Sequence, residues 1–214
     1  MRSKVLNHKL CICIILMVLL LAGCSPDNFD TSNLSSVSDN NTASSPSDKT
    51  VTDVSLVSGI DGDNEYAVIT GTDSSGDTIW TVKTDGFPAA QMAAFTEIGI
   101  YEDQYFYVER GSVVSLDVQT GRVNWKNPDF GGSPSEYCHL IDNSNGNIYL
   151  SGYLGPDFYA VDKNGTTIKR IETIDSRYYW PKNLVIKGDD VTIRMEGSLD
   201  GEHEVEVRFK QSDY

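Results

Sequence analysis

Residues 115–125 read Ser-Leu-Asp-Val-Gln-Thr-Gly-Arg-Val-Asn-Trp. A short β-rich run ends at Leu116, a turn follows from Asp117 to Gly121, and Trp125 is expected at the start of the next strand. Aspartate and threonine side chains cap tight turns, and glycine supplies the positive φ that such turns require. A tryptophan on the following strand is large enough to pack against a neighbouring sheet. The segment therefore predicts a β-hairpin whose tryptophan contacts another sheet.

The turn glycine recurs at steps of 45 and 44 residues, each time with an aspartate upstream of it. The shared positions are the aspartate, the glycine and, four residues after the glycine, a long side chain. They are Asp73, Gly76 and Trp80 in the first copy, Asp117, Gly121 and Trp125 in the second, and Asp162, Gly165 and Lys169 in the third. A small residue stands two places before each aspartate, namely Gly71, Ser115 and Ala160. A period of this size predicts structural units that stack on one another.

The copy at 115–125 resembles the tryptophan-docking repeat of the quinoprotein-like (PQQ-repeat) β-propellers, whose consensus runs Ala-x-Asp-x-x-Thr-Gly-x-x-x-Trp. Only Ser115, in place of alanine, departs from it. The first and third copies have a turn one residue shorter, and the third has Lys169 at the tryptophan position. The resemblance covers residues from about 66 to 171 and implies four-stranded sheets that shield one another. In quinoprotein dehydrogenases it also implies adjacent cysteines beside the cofactor, and this chain has none, so no cofactor is expected.

Short runs rich in Val, Ile, Tyr, Phe and Thr continue through the chain from Val51, separated by Gly, Asp and Asn, and predict an all-β domain over 51–214. A short helical turn is expected only at Ala89–Phe95. The runs are 54–57, 66–70, 79–82, 105–108, 113–116, 148–150, 158–161, 184–186, 191–195 and 205–209. We expect four strands in each of 87–131 and 132–174, and about three in each of 51–86 and 175–214. The fold predicted is a short propeller-like array of about four antiparallel units, with a β-sandwich as the alternative.

Three arrangements of these units stay open: a closed four-unit ring, an incomplete arc, or a shortened relative of a longer propeller. An arc would leave unpaired backbone groups at its ends, which invites a strand from a partner. In the last run, Glu202, Glu204, Glu206 and Arg208 are predicted to share one charged face.

The N-terminus has the layout of an export signal. Three basic residues precede 12 apolar positions, Leu10–Leu21, and then Ala22, Gly23 and Cys24 follow. A bilayer-spanning helix needs roughly 20 apolar residues, so this run predicts a signal peptide over 1–23. Leu21–Cys24 resembles the lipobox of bacterial lipoproteins, which implies lipidation at Cys24 with acyl chains such as palmitate. The expected location is the extracytoplasmic face of the cell membrane, where the lipid is the contact with the bilayer.

Residues 24–50 predict a lipid-anchored disordered linker, because Ser, Asp, Asn, Thr and Pro dominate and few apolar residues are present. Cys138 is the one unmodified cysteine expected in the mature chain, and its apolar neighbours predict a buried structural thiol. Removal of 1–23 takes away three basic and no acidic residues, which changes the net charge from −14 to −17. A surface this acidic repels phosphates, so nucleic acid is excluded as a partner.

Three features could form sites. Asp61, Asp63 and Glu65 alternate in a loop and are a weak Ca²⁺ candidate, with a solvated hairpin loop as the alternative. Tyr178, Tyr179 and Trp180 could form a stacking platform for a glycan or peptide. His139 and His203 lie too far apart in sequence to suggest a metal site, so His139 is expected in a strand and His203 on the surface.

No recognisable set of catalytic residues stands out in the sequence. The anchor, linker and repeats therefore favour a non-catalytic binding or scaffold lipoprotein with a protein or glycan partner at the cell surface. The alternative is a surface enzyme or substrate-binding subunit that acts on glycans or peptides, with loop carboxylates as acid and base. Two facing carboxylates with shifted pKa values in a cleft would favour the enzyme.

Overall fold

The computed structural model describes residues 49–88, 95–153, 155–174, 178–197 and 204–213. Most of these residues lie in β-strands, and the strands follow one another along the chain. The strands are β1 (Asp53–Asp61), β2 (Asn64–Thr72), β3 (Thr78–Lys83), β4 (Phe87–Pro88), β5 (Phe95–Tyr101), β6 (Gln104–Glu109), β7 (Ser112–Asp117), β8 (Val123–Asn127), β9 (Ser133–Ile141), β10 (Ile148–Tyr153), β11 (Phe158–Val161), β12 (Thr167–Ile171), β13 (Tyr178–Lys187), β14 (Asp190–Gly197) and β15 (Glu204–Lys210). A short 3-10 helix, Gln211–Asp213, follows β15.

Consecutive strands pair antiparallel into four separate sheets. The first sheet has the order β1-β2-β3, with the two-residue β4 also paired to β2. The second sheet is β5-β6-β7-β8, the third is β9-β10-β11-β12, and the fourth is β13-β14-β15. Each sheet is thus a local meander, so its register is set by short turns and not by long crossovers.

The second sheet shows why the sheets stack. In β6, which reads QYFYVE, Tyr105 and Tyr107 pack toward the first sheet, and Phe106 and Val108 pack toward the third. Successive strand residues point to opposite faces, so an apolar run without polar alternation needs cover on both sides. The second and third sheets have this pattern and lie inside the stack.

Three hydrophobic cores hold the four sheets together, one between each consecutive pair. The first core joins the first and second sheets through Ile69 and Leu116, among others. The second joins the second and third sheets, with Phe106 against Tyr159 and Ile148. In the third core, Phe158 and Cys138 of the third sheet meet Ile193 and Met195 of the fourth. All of these side chains are fully buried or nearly so.

The stack is open at its two ends in the part of the chain that the structure describes. No core of buried residues there joins the fourth sheet to the first. On the outer side of the first sheet, Val57 is 65% exposed. On the outer side of the fourth sheet, Glu204, Glu206 and Arg208 are exposed while Val205, Val207 and Phe209 between them pack inward. This is the charged face predicted for the last run; Glu202 lies outside the described residues.

The predicted fold class is confirmed: the chain is all-β, with four antiparallel units in a propeller-like array, and the β-sandwich alternative is wrong because the strands form four sheets. The strand counts of the units agree as well, apart from the additional short β4. Within the described residues the arrangement is an arc and not a closed ring. The helical turn expected at Ala89–Phe95 lies outside these residues except for Phe95, which begins β5.

Candidate functional site

The repeat residues form one interlocking contact between the first and second sheets. Asp117 caps its turn, because its Oδ1 accepts hydrogen bonds from Thr120 N and Thr120 Oγ1, both at 2.7 Å. Gly121 has a φ of 68°. Trp80, from the first sheet, donates from Nε1 to the carbonyl oxygen of Val118 at 2.8 Å. A Cβ on Gly121 would lie 2.6 Å from Cε3 of Trp80, so the ring rests on the glycine itself.

The same contact joins the second and third sheets. Trp125 donates from Nε1 to the carbonyl oxygen of Lys163 at 3.0 Å, and its ring covers Gly165, where a Cβ would lie 2.7 Å from Cδ2. Asp162 caps this turn by accepting from Asn164 N at 2.9 Å and from Thr166 N at 2.8 Å. Trp80 and Trp125 therefore belong to different sheets, and each docks on the turn of the sheet that follows.

The small residue two places before each aspartate has a structural reason that sequence reasoning did not supply. It lies directly opposite the tryptophan on the neighbouring strand: Gly71 pairs with Trp80, and Ser115 pairs with Trp125. A Cβ on Gly71 would lie 2.4 Å from Cε2 of Trp80. In the third copy Ala160 pairs with Lys169, so the position is kept small although no tryptophan follows.

The first turn is capped in the same way as the turn at Asp162 but lies on the outer side of the stack. Asp73 Oδ1 accepts from Ser75 N at 2.9 Å and from Asp77 N at 3.0 Å, and Gly76 has a φ of 84°. Lys49 lies 3.0 Å from the Asp73 carboxylate and 2.6 Å from that of Asp77. Hydrogen bonding from Lys49 lowers the pKa of Asp73 below its usual value. The turn is exposed from Ser74 to Asp77.

A surface concavity of about 700 Å³ lies on the fourth sheet beside the 3-10 helix. Residues of opposite charge lie next to one another across the three strands, since Asp190 in β14 pairs with Lys187 in β13 and with Lys210 in β15. Arg208 Nε donates to Glu206 Oε1 at 2.6 Å along the same strand. Side chains of both signs at the surface suit a protein partner with complementary charges, whose contacts would fix its orientation.

The weak Ca²⁺ candidate is not assembled. Asp61 ends β1 and is paired with Asn64, Asp63 lies in the turn between them, and Glu65 lies in β2. Among the residues that the structure describes, no group of three Asp, Glu, His or Cys side chains could hold a metal ion. Here Asp61–Glu65 form a hairpin tip.

The aromatic platform candidate lies at the start of β13. The side chains of Tyr178 and Tyr179 fall outside the described parts of the structure. Trp180 is 43% exposed, and the ammonium of Lys182 lies 5.8 Å from the centroid of its ring. An exposed ring beside a cation at the end of the stack offers a contact to a partner.

One electrostatic interaction between two carboxylates arises that sequence reasoning missed. Partial burial raises the pKa of Glu97 in β5, and the nearby carboxylate of Asp53 in β1 raises it further. Their separation of 44 positions carries no sequence signal, because only the stacking of two sheets brings them together. Asp53 is exposed and Glu97 is only partly covered, and neither lines the concavity on the fourth sheet. They do not form the enclosed pair that acid–base catalysis would use.

Two further predicted residues have clear environments. Cys138 in β9 is fully buried in the third core, and burial raises the pKa of its thiol to about 12. His139, in the same strand, has its pKa lowered by burial. His203, Cys24, the signal peptide and most of the linker lie outside the described residues. Within those residues, none of the helices has the length and apolar character needed to cross a membrane.

Comparison with known proteins gives fold-level likeness only. No protein-family model matches the chain. A search of the curated proteins finds no match either. Among solved structures, BamB from Moraxella catarrhalis is similar over 73% of this chain and 46% of its own, with 14% identity and a TM-score of 0.48. The β-propeller domain of Myceliophteria thermophila Cps50 (Swd1) is similar over 72% of this chain and 49% of its own, with 11% identity and a TM-score of 0.43. The chain thus spans about half the length of each of these solved chains.

Proposed function

We propose that this protein is a membrane-tethered, extracytoplasmic lipoprotein whose propeller-like domain of quinoprotein-like repeats binds another component of the cell envelope without catalysing a reaction. The observation that carries the binding role is the open stack: within the described residues two sheet faces are uncovered, one with the exposed first turn, Asp73–Asp77, and one with a charged concavity. A sheet stack that buries apolar faces at every internal junction would be expected to present its remaining faces to a partner.

The tether follows from Leu21–Cys24 together with the domain order 1–23 signal peptide, 24–50 linker and 51–214 folded domain. A coil of about 26 residues reaches roughly 25–30 Å on average, which would carry the domain clear of the headgroups. Lys49 at the end of this segment forms an ion pair with Asp73 of the first turn, so the linker would join the domain at the first sheet.

Lipidation is tested by growing cells that make the full chain with an alkyne-bearing palmitate analogue. We expect label on the wild-type protein, in the membrane fraction, and no label on the C24A variant. Label that persists in C24A, or a wild-type protein released without lipid, would contradict the tether.

Binding is tested by crosslinking in intact cells and recovery of the wild-type protein from membranes. A photoreactive residue at Glu206, inside the concavity, is expected to give a defined crosslinked species. The matched control is the same residue at Thr166, exposed on the turn of an internal sheet. Membranes that yield no protein or glycan partner from either the crosslinked or the untreated sample would contradict the binding role.

A further inference from the structure

Two of the three internal junctions show what a docking turn receives, and the first turn is built in the same way. At Gly121 and Gly165 an indole ring rests on the glycine, and the indole N–H binds the carbonyl of the residue after the capping aspartate. On the first sheet the corresponding atoms are the Gly76 backbone and the Ser74 carbonyl. No heavy atom of the described residues lies within 4 Å of the position that a Cβ on Gly76 would take.

We propose that the first turn, Asp73–Asp77, is a docking site for a tryptophan carried on a β-strand of a partner protein. This inference rests on the proposed binding function and names the surface and the chemistry of the partner. The site consists of the Ser74 carbonyl as acceptor and the Gly76 backbone as the surface on which the ring lies. It continues an interface that the chain already forms twice.

The strand that leads into the turn supports this role. At the internal junctions, the residues one and three places before the capping aspartate face the preceding sheet and are buried: Leu116 and Val114 in β7, Val161 and Tyr159 in β11. In the first sheet these places hold Thr72 and Thr70, which are half-buried. The hydroxyl group of threonine can be hydrated when this face is exposed, and its methyl group can make apolar contacts when a partner covers the face. Such a surface suits a partner that binds reversibly.

Electrostatics also favour an apolar ring at this turn. Asp73 and Asp77 would otherwise place two carboxylates beside the incoming indole. Lys49 lies within ion-pair distance of both, so its ammonium compensates one of the two negative charges before the partner arrives. Beyond Thr70 on the same outer face, Val57 lies opposite Val68 and is 65% exposed, which adds apolar contact area.

The tryptophan has to come from elsewhere, because this chain has no matching donor. The two tryptophans at docking positions, Trp80 and Trp125, already cover internal turns. The third copy has Lys169, and neither β15 nor residues 1–48 contain a tryptophan. Trp180 remains, but it lies in β13, the first strand of its sheet, whereas both docking tryptophans lie in the last long strand of theirs. The donor therefore lies outside residues 1–214, on the partner strand proposed above.

The test uses the full lipidated chain in the cells that produce it, with a photoreactive residue at Ser74 and, separately, at Glu206. We expect the Ser74 crosslink to map by mass spectrometry to a partner strand that contains a tryptophan. Replacing that tryptophan by alanine in the purified partner is expected to weaken binding about 30-fold or more, as for a buried aromatic anchor.

Two matched glycine variants separate the effect of blocking the docking surface from the effect of backbone strain. Gly76→Asn adds a side chain where the ring would lie, and asparagine tolerates a positive φ. Gly188→Asn is the control, since Gly188 also has a positive φ, 61°, and open space around it, but lies in the turn between β13 and β14. We expect Gly76→Asn to reduce the Ser74 crosslink about tenfold and Gly188→Asn to leave it unchanged.

The outcomes separate this inference from the function on which it rests. A partner captured at Glu206 but not at Ser74, or a Ser74 crosslink that Gly76→Asn leaves intact, overturns the docking site and keeps the binding role. A Ser74 crosslink to a strand without tryptophan, or to Trp180 of a second copy, also overturns it. The loss of a partner at both positions removes the binding role itself.

Discussion

Each occupied docking turn depends on one glycine for two reasons. Gly121 adopts a φ of 68°, which side chains rarely tolerate, and its missing Cβ leaves room for the ring of Trp80. The first requirement is local and can be read from a turn sequence. The second depends on another sheet, and the sequence indicates it only through the repeated distance between glycine and tryptophan.

The two requirements can be measured separately with a pair of alanine variants. In Gly188→Ala only the backbone is strained, at about 1–2 kcal/mol, because nothing lies near the new Cβ. Gly121→Ala adds a collision with Trp80, so we expect it to lower the free energy of unfolding by about 2 kcal/mol more than Gly188→Ala does. Urea denaturation of the soluble protein from residue 25 onward measures both, and equal losses would contradict ring docking on Gly121.

The indole itself is tested by truncation. Trp125 contacts Gly165 and lies with its ring centroid 5.8 Å from that of Phe106. Because the ring is half-buried, Trp125→Ala is expected to cost about 2–3 kcal/mol of unfolding free energy. Trp180→Ala makes the same chemical change at an exposed position and is expected to cost less than about 1 kcal/mol. The reverse order of the two losses would contradict the assignment of Trp125 to a sheet junction.

At the scale of the element, the ten β-rich runs recognised in the sequence all fall within observed strands. The strands without such a run are β4, β5, β8, β9 and β12. Four of these are the edge strands of the second and third sheets. Edge strands have fewer buried positions, as in β8, which reads VNWKN, so their sequences show little apolar character. In these two sheets the central strands could be predicted because both of their faces are buried, whereas the edge strands could only be counted.

Aspartate side chains cap the turns between strands, and the stability of the turn at Asp142 is therefore expected to depend on pH. Asp142 follows β9, and its Oδ1 accepts from Ser144 N at 2.9 Å and Ser144 Oγ at 2.7 Å. These hydrogen bonds lower the pKa of Asp142. Because the folded pKa is depressed, the stabilisation is complete above the unfolded pKa and is lost as pH falls through the folded one.

The expected effect of Asp142 is small, since its carboxylate is close to solvent. We expect Asp142→Asn to be less stable than wild type by less than about 1 kcal/mol at neutral pH. The difference should shrink as pH falls below about 4, when the wild-type carboxyl takes up a proton. Urea unfolding of both proteins across this pH range tests it. A difference that widens on acidification would contradict the hydrogen-bonded carboxylate.

At the scale of the molecule, the number and order of the sheets could be predicted, but the choice between arc and ring could not. The repeat shows that neighbouring sheets touch, whereas closure depends on contacts between the first and last sheets, which no periodic pattern reports. For the same reason, contacts within a turn could be predicted, whereas contacts between residues far apart in the sequence could not. The residues of the docking turns are local in sequence, whereas Asp53 and Glu97 meet only through stacking.

The open stack with an uncovered first turn is tested most directly by nuclear Overhauser contacts in the isotope-labelled soluble protein from residue 25 onward. We predict cross-peaks from the Trp80 ring to the Gly121 α-protons and from the Trp125 ring to those of Gly165. No aromatic proton should give a cross-peak to Gly76. Contacts between the first and fourth sheets, or tryptophan rings that contact only their own sheets, would contradict the account.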